Sequence, residues 1–335
     1  VKVRALRDPA LVAHLGAPVA LRYADGADPA LDRPAHVRAG SGLARVGDRL
    51  AVLQDDAAFL ALVDPGTGLA DAVTLPADDD GRRQFSEALG NKQRKYDLEA
   101  CLVLPPHAGM VRLLAFGSGS TPRRERVLVV DFPDGAPDPK RAEVALVDAA
   151  PLYAALRADA AFAGSELNVE GAALVGDRVR LFGRGNGAAR DGVAAVSATG
   201  DVELAALLAF LLRGGPVPAL QGVVAYDLGT IDGATLAFTD AAALPDGTLL
   251  YAAAAEASPN SYDDGEVTGS ALGLIAGETA RWTHLLDVDG APFRGKIEGV
   301  LPWADDVGRL WVVTDADDAD APSTLYEATL RRAAV

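Results

Sequence analysis

Cysteine is nearly missing from this chain: of 335 residues only Cys101 is one, inside the apolar run Cys101-Leu102-Val103-Leu104. A lone cysteine excludes an internal disulfide. The four histidines, His14, His36, His107 and His284, are scattered with no pair at metal-ligand spacing, so a Cys/His zinc site is excluded as well. Long apolar runs are also wanting. The longest, Leu204 to Leu212, is far too short to span a bilayer, so membrane insertion is not expected. Positive charge is scarce, with 31 Lys and Arg against 47 Asp and Glu and a net charge of −16. Such a surface repels phosphate backbones and anionic membranes, and nucleic acid is not an expected partner. Multivalent cations suit it better, although solubility alone accounts for the overall charge. No Walker loop and no Gly-x-Ser-x-Gly elbow occurs, and Gly183-Arg184-Gly185-Asn186-Gly187 is no dinucleotide fingerprint because no helix follows it. No signal peptide is visible in Val1-Lys2-Val3-Arg4. The expected compartment is the cytoplasm, or the periplasm or exterior if a leader has been removed.

Apolar residues make up half of the chain, Gly numbers 35 and Pro 20, which suits many short strands joined by turns. One unit recurs: an acidic or small residue, a small residue, an apolar stretch, a Gly/Asp turn and a second apolar stretch. Its clearest copy is Glu170-Gly171-Ala172-Ala173-Leu174-Val175-Gly176-Asp177-Arg178-Val179-Arg180-Leu181-Phe182. Further copies open at Ser41, Glu99, Asp240 and Glu298, spaced by 58, 71, 70 and 58 residues. Gly47-Asp48, Gly176-Asp177 and Asp246-Gly247 sit between apolar runs as hairpin turns. Each interval fits a four-stranded blade. The fold expected is all-β: a single five-bladed β-propeller domain over residues 1–335, with six blades as the alternative.

The pattern places third strands at Phe59–Val63, Val127–Asp131, Gly192–Val196, Ala271–Ile275 and Thr324–Thr329. Fourth strands fall at Ala72–Leu75, Ala142–Val147, Gly222–Tyr226 and Ala280–Leu286. The last unit lacks a fourth strand, and an N-terminal segment, Lys2–Leu6 or Val19–Tyr23, is predicted to supply it, which would remove two exposed edges. Three segments look helical by composition: Gly81–Lys92, Ala150–Phe162 and Glu203–Arg213.

In a propeller the inner strand of each blade lines the central channel. Ser41, Glu99, Glu170, Asp240 and Glu298 would therefore face one another. Two residues earlier, on the same face of an extended chain, lie Ala39, Asp97, Asn168, Phe238 and Lys296. Four converging carboxylates must be neutralised. Calcium is one solution, with Glu99, Glu170, Asp240, Glu298, Asp97 and Asn168 as oxygen donors. Lys296 as a built-in counter-charge is a second, and carboxyls that hold their protons a third. The carboxylates could equally accept backbone N–H groups of neighbouring blades and so pin the ring. A second set, Asp55, Ser118, Arg184, Ala254 and Asp315, ends the second strands and is expected apart from the ring. The turn Gly117-Ser118-Gly119-Ser120-Thr121 with Arg123 and Arg124 could hold an anion, but tight turns account for its glycines. The acidic run Asp315–Asp320 reads as a solvated turn, since it lacks the glycine and distal glutamate of a calcium-binding helical hand, and the acidic turn Tyr262–Glu266 is read in the same way.

Lys95-Tyr96-Asp97-Leu98-Glu99-Ala100, Asn168-Val169-Glu170-Gly171-Ala172, Phe238-Thr239-Asp240-Ala241-Ala242-Ala243 and Lys296-Ile297-Glu298-Gly299 make the chain resemble an uncharacterised bacterial propeller family, over nearly its whole length. Through the Glu-Gly steps at Glu170 and Glu298 it is more distantly similar to phytase-like and gluconolactonase-like propellers. That resemblance implies calcium in or over the channel. Two functions follow as expectations. One is a propeller that binds a small ligand or a protein partner at one rim, with or without calcium. The other is a calcium-dependent hydrolase of a phosphoester, ester or lactone, in which Lys95, Arg184 or Lys296 steadies a small anionic substrate.

Overall fold

The computed structural model describes residues 2–257 and 266–333. Strands β1 (Lys2–Arg7), β2 (Leu11–Ala20) and β3 (Arg22–Tyr23) precede the repeats. The first repeat forms an antiparallel ladder of β4 (Gly40–Val46), β5 (Arg49–Gln54), β6 (Phe59–Val63) and β7 (Leu69–Thr74). The second forms β8 (Leu98–Val103), β9 (Met110–Gly117), β10 (Arg126–Pro133) and β11 (Glu143–Asp148). Helices α1 (Ala150–Ala158) and α2 (Ala160–Ala163) lead into β12 (Val169–Val175), β13 (Arg178–Gly183), β14 (Ser197–Glu203), α3 (Leu204–Arg213) and β15 (Leu220–Asp227). The short β16 (Thr230–Ile231) precedes β17 (Ala234–Ala243), β18 (Leu249–Ala257), β19 (Glu266–Ala276) and β20 (Thr279–Leu286). The last repeat holds β21 (Lys296–Pro302), β22 (Arg309–Asp315) and β23 (Thr324–Arg332).

The chain is thus mostly β, in several sheets, and the first strands of the repeats form a closed ring. β8 packs beside β4, β12 beside β8, β17 beside β12 and β21 beside β17, and β21 returns to β4. The core is divided in the same way. Apolar side chains of each ladder meet those of the next, and the last ladder meets the first where Trp311, Val313 and Leu325 pack with Leu43, Leu50 and Val52. Alternation along each strand sends one face to each neighbour, which explains the unbroken apolar runs.

The N-terminal segment does complete the last ladder, but through neither predicted stretch as drawn. β2 pairs antiparallel with β23 from Leu11↔Arg332 to Ala20↔Thr324. β1, which contains Lys2–Leu6, instead lies parallel to both β15 and β20 and bridges two ladders. β3 takes Arg22 and Tyr23 to the edge of β7. Two other expectations shift. The third strand placed at Gly192–Val196 falls at Ser197–Glu203, because Arg190 and Val193 close a turn through Gly192 at φ +80°. Gly81–Lys92 contains no α-helix. Gly81 and Gly90 take positive φ, Asp78 accepts the Asp80 and Arg82 N–H groups, and Asn91 accepts that of Ser86, so side chains hold an irregular loop. The other two helical segments form. α1 and α3 bury Leu152, Tyr153, Leu156, Leu207 and Leu211 against the second and third ladders. Part of the acidic run Tyr262–Glu266 lies outside the described residues.

Candidate functional site: an acid-lined central cavity

Each first strand opens with a β-bulge. The ladder register slips between Gly40 and Gly42, Leu98 and Ala100, Val169 and Gly171, and Ile297 and Gly299, leaving Ser41, Glu99, Glu170 and Glu298 as the unpaired residues. A bulge re-aims one side chain out of the strand alternation. Here it turns the four toward one shared cavity. The residue after each bulge is small because neighbouring strands approach closely. A Cβ on Gly171 would lie 3.1 Å from the Ala241 nitrogen, and one on Gly299 would lie 2.7 Å from Val313 Cγ1 and 3.1 Å from the Gly42 carbonyl carbon.

The fourth copy is out of step by one residue. Its register slips between Phe238 and Asp240, so Thr239 is the bulge residue and Asp240 stands where the others carry Gly or Ala. Asp240 does not line the cavity. It is buried, and its Oδ2 accepts the Val300 N–H of the next ladder at 2.8 Å. Ser41 likewise crosses to its neighbour, with Oγ donating to the Leu98 carbonyl at 2.5 Å. Pinning between ladders thus belongs to Asp240 and Ser41, whereas Glu99, Glu170 and Glu298 are the acids that meet.

They meet in a cavity of about 270 Å³, which Asp97, Asn168, Lys95, Arg184 and Lys296 also line. The second set, expected apart, shares the same wall in part: Asp55, Arg184 and Asp315 line the cavity, while Ser118 bonds Asp97 beside it. The reason is the antiparallel hairpin, which returns the end of each second strand to the start of the first. The Asp55, Ser118 and Arg184 N–H groups donate to the carbonyls of Ala39, Asp97 and Asn168. Ala39 and Asp97 take the left-handed backbone at φ +50° and +55°. Asp317 and Asp318 of the run read as solvated are exposed and yet form part of the rim.

Counter-charges are built in. Lys95 Nζ lies 2.5 Å from Asp55 Oδ2, 2.8 Å from Asp97 Oδ1 and 3.0 Å from Asp56 Oδ1. Arg124 Nη1 reaches the other Asp97 oxygen at 2.8 Å, and Ser118 Oγ donates to that oxygen too. Across the cavity Arg184 sits 3.4 Å from Glu170 and 2.5 Å from Glu256, and Lys296 sits 2.7 Å from Glu298. Asn168 donates to Glu170 Oε1 at 2.6 Å. Burial opposes ionisation of Asp97, but Lys95 and Arg124 outweigh it and hold the carboxyl down to about 2. Burial pushes Glu298 up to about 7 against the pull of Lys296 and Arg184. Burial also raises Glu99 well above the usual range, reinforced by Asp55, Asp97 and Glu170. Among the described residues the Glu99 side chain has no hydrogen bond and no ion pair, and the buried Oε2 of Glu298 has no hydrogen-bond partner.

Sequence reasoning missed Glu256, Arg38 and Asp56 on the cavity wall. Glu256 lies two residues beyond Ala254 on β18, and extending the strand alternation by one step would have found it. One oxygen each from Asp55, Asp97 and Glu99 lie within 4.8 Å of one another, so this triad could bind a metal ion.

A closed ring of antiparallel ladders around an acidic cavity defines the class. The chain belongs to the family of unknown function DUF6929, whose model matches residues 36–330. No curated protein matches it. Among solved structures it is similar to a PQQ-bound aldose sugar dehydrogenase from Streptomyces coelicolor, at 13% identity and a TM-score of 0.48 over 96% of this chain and 99% of that one. It is also similar to the glutaminyl cyclase of Myxococcus xanthus, at 10% identity and a TM-score of 0.46 over the whole of both chains. A third is a GH43 β-1,3-galactosidase, at 10% identity and a TM-score of 0.47 over 93% of this chain and 59% of that one. Likeness of this degree assigns no activity. Among the described residues no helix is long and apolar enough to cross a membrane.

Proposed function

We propose that the chain is a single five-bladed β-propeller over residues 1–335 that binds a small positively charged ligand in its central cavity. The closed order of first strands and the shared core between last and first ladders support the blade count. One observation carries the binding reading. Each of the six cationic side chains on the wall, Arg38, Lys92, Lys95, Arg124, Arg184 and Lys296, has a carboxylate within 4.0 Å, while eleven carboxyls line the same cavity. A small anion, expected at Lys95, Arg184 or Lys296, would have to displace one of these carboxylates. A cation meets Glu99 and Asp315, neither of which has an ion-pair partner among the described residues.

Calcium is the second reading, supported by the Asp55, Asp97 and Glu99 triad. The donors fit it poorly. Both Asp97 oxygens and one of Asp55 already hold Lys95, Arg124 or Ser118. An ion that could polarise an ester or phosphoester oxygen would first have to displace these donors. Thermal shift at low ionic strength tests the reading. Cationic small molecules and calcium are compared with phosphate and gluconate at equal concentration, and the reading requires that a cation, not an anion, raise Tm. Stabilisation by the anions alone would refute it.

A further inference from the structure

The run Gly183-Arg184-Gly185-Asn186-Gly187 leaves the end of β13 along the cavity wall, which Arg184 and Asn186 both line. We propose that Asn186 is a site of covalent self-modification: the Gly187 backbone nitrogen closes on the Asn186 side-chain carbonyl, and the asparagine becomes aspartate or isoaspartate. Water and its hydroxide are the only other reactants. The Gly187 N–H gives its proton to hydroxide, the nitrogen bonds to Asn186 Cγ, and the Cγ–Nδ2 bond breaks with release of ammonia. Water then adds to either carbonyl of the cyclic imide, which opens to a free carboxylate and leaves one peptide link.

Three observations support it. First, the attacking residue is glycine, so no Cβ crowds the ring closure and the backbone can reach the geometry that the imide needs. Second, the reacting groups are not held. Among the described residues the Asn186 side chain makes no hydrogen bond, its buried Oδ1 is without a partner, and no backbone N–H from Asn186 to Ala189 is bonded. Neither the amide nor the nitrogen has a bond to give up, and Ala188, Ala189 and Arg190 beside them are exposed to solvent base. Third, the other asparagines differ on both counts. Asn91 accepts the Ser86 N–H at 3.0 Å and donates to the Gln84 carbonyl at 2.9 Å, and Lys92 follows it. Asn168 donates to Glu170 at 2.6 Å, and the β-branched Val169 follows it. Asn260 lies outside the described residues. The product bears on the cavity. Conversion adds a carboxylate to a wall that already carries eleven, two residues beyond Arg184, whose guanidinium holds Glu170 and Glu256. The charge of the wall therefore depends on the age of the chain.

Timed incubation of the full chain at pH 7 and at pH 9 without denaturant, followed by digestion in acid and peptide mapping by mass spectrometry, tests this. The peptide that contains Asn186 should gain about 1 Da and separate into aspartyl and isoaspartyl forms. The gain should be faster at pH 9, in proportion to hydroxide, while the peptides with Asn91 and Asn168 stay unconverted. Anion exchange of the intact chain should resolve a more acidic species in the same proportion. Gly187→Ala should slow the conversion roughly tenfold. That variant is checked for an unchanged far-UV spectrum and cooperative melting, because its Cβ would lie 2.5 Å from Glu166 Oε2. If Asn186 stays intact in the native chain over the time in which the urea-unfolded chain converts there, the loop protects the pair and the inference is overturned. Conversion of Asn91 or Asn168 as fast as Asn186 would overturn it too, since neither the glycine nor the unbonded amide would then direct the reaction.

Discussion

Replacing Lys95 by Met removes the cation from three carboxylates while keeping most of the side-chain volume. Its side chain is 7% exposed, with the ammonium within 3.0 Å of Asp55, Asp56 and Asp97. Breaking a buried pair in this way costs about 3–5 kcal/mol, because the acids left behind are neither solvated nor paired. For a chain of this length each kcal/mol moves Tm by roughly 2 °C, so melting should fall by roughly 6–10 °C at pH 7. The loss should be pH-dependent with a defined sign. In the wild type Asp97 is held at about 2, so its contribution is present above the ordinary aspartate value and fades only as pH falls toward 2. Without Lys95 the crowded carboxyls titrate above their unfolded values. Their protonated forms then cost nothing at low pH, and the penalty grows as pH rises through the folded values. The gap between wild type and variant should therefore be widest at pH 7, smaller near pH 4 and closed only as pH falls toward 2. Scanning calorimetry at both values measures it. A gap under about 2 °C at pH 7, or one that widens on acidification, would refute the assignment of Lys95 as the main counter-charge.

In the same Lys95→Met variant the triad loses its occupant, so millimolar calcium should raise the variant's Tm by several degrees while leaving the wild type unmoved; equal shifts in both would show that Lys95 does not compete for the seat. Glu298 is raised to about 7 in the folded state, so its contribution is present below about 4.5 and is lost as pH climbs from there to 7. Glu298→Gln should flatten that decline, by up to about 3 kcal/mol in denaturant titrations, whereas an unchanged pH profile would contradict the raised value. Asp240→Ala orphans the Val300 N–H and should cost about 1–3 kcal/mol of unfolding free energy, with Asp240→Asn milder because an amide oxygen still accepts. Gly299→Val places branched atoms where even a Cβ lies 2.7 Å from Val313, and should lose about 1–3 kcal/mol in the same assay.

The ring was legible in the sequence where one cause served two levels. An acid followed by Gly or Ala recurs because the bulge needs an outward residue and the next strand needs a small one. Glu99-Ala100, Glu170-Gly171 and Glu298-Gly299 obey both conditions, and all three acids reach the cavity. Asp240-Ala241 matches the pattern by composition but fails the geometry. Its bulge falls at Thr239, and Asp240 fills the small position, where it has a backbone N–H to accept. Composition cannot distinguish those two states, since Thr-Asp-Ala and Glu-Gly-Ala differ by a one-residue slip that reverses which side chain faces inward. The spacing of bulge residues, 41, 99, 170, 239 and 298, is no more regular than the spacing read from acids.

The same logic explains why the counter-charges were harder to read than the acids. Lys95, Arg124, Arg184 and Lys296 stand on loops, strand ends and bulge flanks, and no periodicity singles them out. Arg184 is joined to the wall by the hairpin return, which in the first three ladders sets the residue after the second strand beside the residue two before the bulge. Once that return is recognised, Asp55 beside Ala39, Ser118 beside Asp97 and Arg184 beside Asn168 become a second tier of the same wall. The cavity's charge then follows from pairs of tiers, not from a single ring. A ring of acids alone would demand an external ion; two tiers with cations interleaved neutralise most of it internally. Only the excess, which includes Glu99 and Asp315, is left without an ion pair among the described residues.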